Sequence, residues 1–153
     1  MHVTRPGVRL WATLGQLKLG AFRPKADFRL DAREAYTWGY GGSIAWYQNY
    51  RNLYLFVIDN HGRYQIEFAR KAAWRTIRPW TKNPTLSSGR QNVLSVADNG
   101  AELHFFINAV PVCEVADPLL PAGDSGFVVG ACRQGQGQAL FDWMALYEIS
   151  VAE

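Results

Sequence analysis

Charged and apolar residues trade places one for one along much of this 153-residue chain. In Asp27-Phe28-Arg29-Leu30-Asp31-Ala32-Arg33 every second side chain is charged and the others are apolar. That period puts one kind on each face of an extended strand, and a helix has no use for it. Arg63-Tyr64-Gln65-Ile66-Glu67-Phe68 repeats the pattern, and Glu102-Leu103-His104-Phe105 carries it through Ile107. Leu53-Tyr54-Leu55-Phe56-Val57-Ile58 is apolar at every position. It predicts a central strand, covered on one side and aromatic on the other.

The breaks between these runs are turn chemistry. Asp59-Asn60-His61-Gly62 and Asp98-Asn99-Gly100 hold residues that tolerate left-handed backbone angles, which marks hairpins. Asn108-Ala109 makes a tight link into Val110–Val115, and Pro118 and Pro121 punctuate a surface loop. Gly126–Cys132 and Ala139–Ile149 then supply the last strands. The count is about ten or eleven strands at the spacing of sandwiches and barrels. No segment sustains a helical period, and Lys82 to Gly89, with Pro, Thr and Ser, is a loop. The expectation is one all-β domain over residues 1–153.

Hydrophobic content of 48% and charged content of 19% suit a folded core. A net charge of +3 is spread thinly, without the basic run that tracks phosphates, which argues against nucleic acid as a partner. No stretch approaches the roughly 18 apolar residues of a membrane helix. No signal peptide pattern opens the chain, which enters strand-like sequence by Val8. That abrupt start fits a piece of a longer, extracytoplasmic polypeptide. Cys113 and Cys132 allow one disulfide or two thiols, and the frequent burial of unpaired cysteine favours two free, buried thiols.

Taken in order, several motifs resemble the concanavalin A-like, laminin G-like modules of bacterial multidomain proteins, near the 3-keto-disaccharide hydrolase-like domains. They are Asp27 to Arg33, Trp46-Tyr47-Gln48 leading to Asn52-Leu53-Tyr54-Leu55-Phe56, and Asp59-Asn60-His61-Gly62-Arg63-Tyr64. Trp74-Arg75-Thr76-Ile77 with Trp80-Thr81, Asn92 to Val96, Phe105-Phe106-Ile107-Asn108 and Phe141-Asp142 complete the series. The resemblance spans about residues 25–149. It implies a jelly roll of two antiparallel sheets, one with a concave face that holds sugars in many relatives. Two departures stand out. The acidic-aromatic strand that usually opens such modules is not seen. The family's Arg before Tyr-Gln is Trp46 here, and its Asn-Gly hairpin is Asn108-Ala109.

Retaining glycosidases on this fold need paired carboxylates about 5–5.5 Å apart, and no Glu-x-Asp-x-x-Glu occurs. Asp31-Ala32-Arg33-Glu34 has the wrong parity and sits at a strand end. His2, His61 and His104 show no ligand spacing along the chain. The resemblance implies at most calcium, on an acid of the final strand, Asp142, against a hydrogen-bonded structural role for the same residue. What remains is aromatic: flat rings stack on the C–H faces of sugars while amides and Arg bind hydroxyls. The reading is a non-catalytic module that binds carbohydrate on the concave sheet. Trp46, Trp80 and Trp143 would stack the ligand, and Gln48, Arg51 and Arg78 would orient it. A structural or protein-interaction domain is the first alternative, and a glycoside hydrolase or lyase-like enzyme the second.

Overall fold

A computed structural model describes residues 2–3, 9–13, 22–29, 39–87, 91–99, 101–116, 120–121, 123–131, 137–138 and 140–148. For residues 2–3, 10–13, 22–29, 137–138 and 140–148 the description is of the backbone alone. Among the described residues there is no helix. The strands are β1 (His2–Val3), β2 (Arg9–Thr13), β3 (Phe22–Arg29), β4 (Gly39–Asn49), β5 (Asn52–Asp59), β6 (Arg63–Arg70) and β7 (Ala73–Lys82). They continue with β8 (Gln91–Asp98), β9 (Glu102–Ile107), β10 (Val110–Ala116), β11 (Asp124–Ala131), β12 (Gly137–Gln138) and β13 (Leu140–Glu148).

Two antiparallel sheets carry the structure. One is six-stranded, in the order β2-β11-β4-β5-β6-β7; the other is five-stranded, in the order β10-β9-β8-β3-β13. The short β1 and β12 pair separately. Sequence alternation decides which residues meet between the sheets. Tyr54, Phe56 and Ile58 of β5 and Tyr64, Ile66 and Phe68 of β6 share one buried cluster with Leu94, Val96, Leu103, Phe105 and Ile107. Phe56 meets Phe105 edge to face across the gap, with ring centroids 5.4 Å apart. Each large side chain buried this way contributes roughly 1.5–3 kcal/mol of transfer free energy.

The apolar run Leu53–Ile58 is the fourth strand of the six-stranded sheet, as its composition predicts. Its opposite face is not open. Leu53, Leu55 and Val57 are at most 1% exposed and form a second cluster with Ile44, Ala69 and Val128, on which Tyr40, Tyr47 and Trp80 pack. The outer side of this sheet therefore has an apolar centre of its own.

The corners follow the turn residues. Asp59 Oδ1 accepts from the backbone N–H of His61 and of Arg63, closing the β5–β6 hairpin, with Gly62 at φ 70°. Asn99 Oδ1 does the same for Ala101 and Glu102 between β8 and β9. Two corners are made without glycine. Lys71-Ala72 (φ 52° and 67°) joins β6 to β7, and Asn108-Ala109 (φ 50° and 67°) joins β9 to β10. Both residues of each pair lie in the left-handed region that a type I′ turn demands. The departure from Asn-Gly thus leaves the turn geometry intact. Asn108 adds bonds of its own, accepting from Val93 N and donating to Thr85 O and Asn92 Oδ1.

The N-terminal region does supply an edge strand. β2 pairs with β11 from Gly126↔Thr13 to Gly130↔Arg9 and closes that side of the six-stranded sheet. Cys113 is a free thiol and half-buried. Cys132, Pro118 and residues Asp31 to Glu34 lie outside the described residues, as do the side chains of His2, Asp142 and Trp143. Among the described residues no helix is long and apolar enough to cross a membrane.

Candidate functional site

The outer face of the six-stranded sheet gathers a connected set of rings and charges. Arg9, on edge strand β2, donates to Glu67 Oε2 on β6 at 2.9 Å. In a flat sheet those two strands, separated by β11, β4 and β5, would stand about 19 Å apart. That is more than an arginine and a glutamate can span. The sheet is therefore curved, and this face is its hollow side. The same guanidinium lies 4.6 Å from the ring centroid of Trp74 and 5.8 Å from that of Tyr40. Tyr40 in turn meets Trp80 at 6.1 Å, and Arg63 lies over Trp80 at 5.4 Å. Arg63 is held by Asp59, whose Oδ2 accepts from its Nε at 2.7 Å.

Backbone register explains how the Tyr40 ring comes so close to the neighbouring strand. Tyr40 pairs with Gly130 of β11, where an added Cβ would stand 2.2 Å from the tyrosine Cζ. The glycine leaves the notch that the ring fills.

Of the predicted stacking residues, only Trp80 belongs to this face. Trp46 is 1% exposed and lies in the inter-sheet core, edge-on to Tyr54 at 6.5 Å. Strict alternation would put it outside with Ile44. Against β11 the β4 register slips by one residue between Ile44 and Tyr47, and Trp46 takes φ 51°, so Ala45 and Trp46 both turn inward. A bulge inserts one residue and reverses parity beyond it, and that overturns Trp46 as a stacking residue. Trp143 lies on β13, at the edge of the other sheet. Its backbone thus belongs to a different sheet from that of Trp80 on β7.

The predicted orienting residues are also dispersed. Gln48 donates to Pro121 O at 3.1 Å and braces the loop before β11. Arg51, at the tip of the β4–β5 turn, donates from Nε to the Tyr50 hydroxyl at 2.8 Å. Arg78 pairs with core-facing Ile66 after a second bulge, and its charge bears on Tyr64, not on Trp80. Tyr64 donates to Val112 O at 3.1 Å. Its phenol is pushed above the ordinary 10.0 by burial, against which the Arg78 charge pulls, with a smaller upward push from Cys113.

Sequence reasoning passed over the residues that assemble the face. Trp74 was legible as an aromatic, and it is 42% exposed. Arg9 and Glu67 are 58 residues apart, and nothing local in the chain links them. The same holds for a group on the five-stranded sheet. Glu102, His104 and Glu114 offer ligand atoms within 4.8 Å of one another. His104 faces Glu102 through Nε2 at 3.1 Å and Glu114 through Nδ1 at 3.5 Å. The absence of ligand spacing along the chain hid this cross-strand cluster. Each ring nitrogen is turned to a different carboxylate, so His104 is held between the two acids.

Comparisons with known proteins bear on the architecture. No family model and no curated protein matches the sequence. Solved structures do. The carbohydrate binding module CBM66 from Bacillus subtilis superposes with a TM-score of 0.72 at 16% identity, over 94% of this chain and 84% of that one. Sheep galectin-11, in complex with glycerol, gives 0.62 at 12% identity, over 94% and 98% of the two chains. A glycoside hydrolase family 16 endo-glucanase from Bacteroides ovatus gives 0.63 at 11%, over 95% and 79%. At such identities the likeness establishes the fold, and the fold of this chain is the concanavalin A-like jelly-roll sandwich.

Proposed function

We propose that this chain is a non-catalytic carbohydrate-binding module whose ligand sits on the hollow face of the six-stranded sheet, at the end marked by Trp74, Arg9 and Glu67. The observation that carries the reading is the meeting of a part-exposed indole with a carboxylate and a guanidinium on that face. A ring stacks on the apolar side of a sugar, and charged groups bind its hydroxyls. The binding module and the galectin among the similar structures are in keeping with it.

Two features favour binding over hydrolysis. Glu67 is already paired with Arg9, and Asp59 with Arg63. Asp59 stands opposite Arg63, four residues along β6 from Glu67, or about 13 Å at the strand rise. That exceeds the carboxylate separations of both retaining and inverting glycosidases. The apolar row Leu53, Leu55 and Val57 offers no hydroxyl partner, which confines recognition to the flank.

Affinity electrophoresis on neutral polysaccharides, with titration of a mixed-linkage glucan oligosaccharide, tests the reading. The expected result is retardation by at least one neutral glycan that Trp74→Ala abolishes while the protein stays folded. Retardation by none of them, or retardation that Trp74→Ala leaves unchanged, would remove this site from consideration.

A further inference from the structure

The other face of the β6–β7 hairpin holds a second site. A cavity of about 430 Å³ is lined by Phe68, Arg70, Lys71, Ala73 and Arg75. Register explains the grouping. Phe68 pairs with Arg75 and Arg70 with Ala73, so these four residues share the core-side face of the hairpin, opposite Trp74. Phe68 still belongs to the inter-sheet core, 4% exposed and stacked on Tyr54 at 5.2 Å. One step further toward the tip Arg70 and Ala73 are exposed, so the cavity opens where the sandwich ends.

Three cations surround this apolar floor without an acidic residue in the lining. Among the described residues Arg70, Lys71 and Arg75 form no ion pair. Arg70 and Arg75 stand at diagonal positions across the strand pair, close enough for long side chains to reach one ligand together. The corner between them is costly, because Lys71 and Ala72 both take left-handed angles without glycine. The tip is nevertheless pinned. Asn52 Oδ1 accepts from Lys71 N at 2.9 Å and Arg51 O from Ala72 N at 3.1 Å. Asn49 Oδ1 accepts from Arg51 N and from Asn52 Nδ2 behind them. A cavity ringed by three cations without a carboxylate, on a hairpin tip fixed by a tertiary clamp, points to a preorganised anion receptor.

We infer that this cavity binds an acidic sugar residue, its carboxylate or sulfate held by Arg70, Lys71 and Arg75 and its C–H face laid toward Phe68 and Ala73. A free inorganic anion would use the cations and leave the apolar floor empty, whereas a pyranose with an anionic substituent uses both. The site lies across the hairpin from Trp74, so it stands or falls independently of the function proposed above.

Isothermal titration at low salt tests it with three probes: an oligogalacturonate, a sulfated chondroitin oligosaccharide and poly-aspartate of matched charge. The expected result is saturable binding of at least one acidic saccharide that weakens with added salt. It becomes about tenfold weaker in Arg70→Gln and in Arg75→Gln and is unchanged in Trp74→Ala. The uronate and sulfate arms tell which anion is preferred. Three outcomes overturn the inference: no binding of either saccharide, binding indifferent to both arginine substitutions, or poly-aspartate binding as tightly as the sugars. Loss of neutral-glycan binding in Trp74→Ala with acidic binding retained would separate the two sites.

Discussion

The guanidinium of Arg9 lies 4.6 Å from the centre of the Trp74 indole while donating to Glu67, so the first long strand of the chain reaches across its own sheet. The side chains of the ion pair are 30% and 17% exposed. Solvent therefore screens it, and an ion pair of this kind adds about 1 kcal/mol at most. A double-mutant cycle with Arg9→Ala and Glu67→Gln, followed by urea denaturation, is expected to give a coupling of about 0.5–1 kcal/mol. Zero coupling would mean that the strap does not persist in solution.

Trp46 gives the opposite expectation. Its ring fills the core at 1% exposure, so Trp46→Ala leaves a void and costs about 3–5 kcal/mol by chemical denaturation. A loss below about 1 kcal/mol, of the size typical of exposed positions, would return Trp46 to the surface.

Tyr64 predicts an alkaline signature. Its folded pKa is raised above 10.0, mainly by burial. The unfolded chain thus releases the proton first, and the neutral phenol's contribution, full below pH 10, is lost as pH climbs from there toward the folded pKa. Tyr64→Phe removes that loss, and at neutral pH it costs about 1 kcal/mol for the bond to Val112 O. Stability measured from pH 8 to 11 is expected to fall less steeply in the variant. Parallel curves would show that Tyr64 titrates as it does when unfolded.

Ala72 sits at φ 67° in a type I′ corner. Ala72→Gly relieves a left-handed cost of about 1–2 kcal/mol, offset by the greater freedom of glycine in the unfolded chain. The net expectation is a gain of up to about 1 kcal/mol, read as a higher denaturation midpoint. A lower midpoint would show that the clamp from Asn52 and Arg51 has already absorbed the strain.

Much of the architecture was legible because alternation reports directly on which side of a strand meets solvent. β6 and β9 keep that period, with Tyr64, Ile66 and Phe68 and Leu103, Phe105 and Ile107 inward as expected. The hairpins at Asp59 and Asn99 were legible from their carboxylate and amide turns. The site was not. Bulges at Trp46, against β11, and around Ile77 and Arg78 shift parity, and no residue type announces a bulge in advance. Trp46 and Arg78 were misplaced for that reason. Arg9 and Glu67 were missed because they meet through the curvature of a whole sheet, a property of no local window.

β5 is packed on both of its faces, with Tyr54, Phe56 and Ile58 against one cluster and Leu53, Leu55 and Val57 against another. It is also hydrogen-bonded along both edges, to β4 and β6. Freeing its amides to solvent requires both layers to come apart at once, so their deuterium uptake can proceed only through global opening. This strand is the last part of the molecule to let go, and its exchange rate reports the stability of the whole.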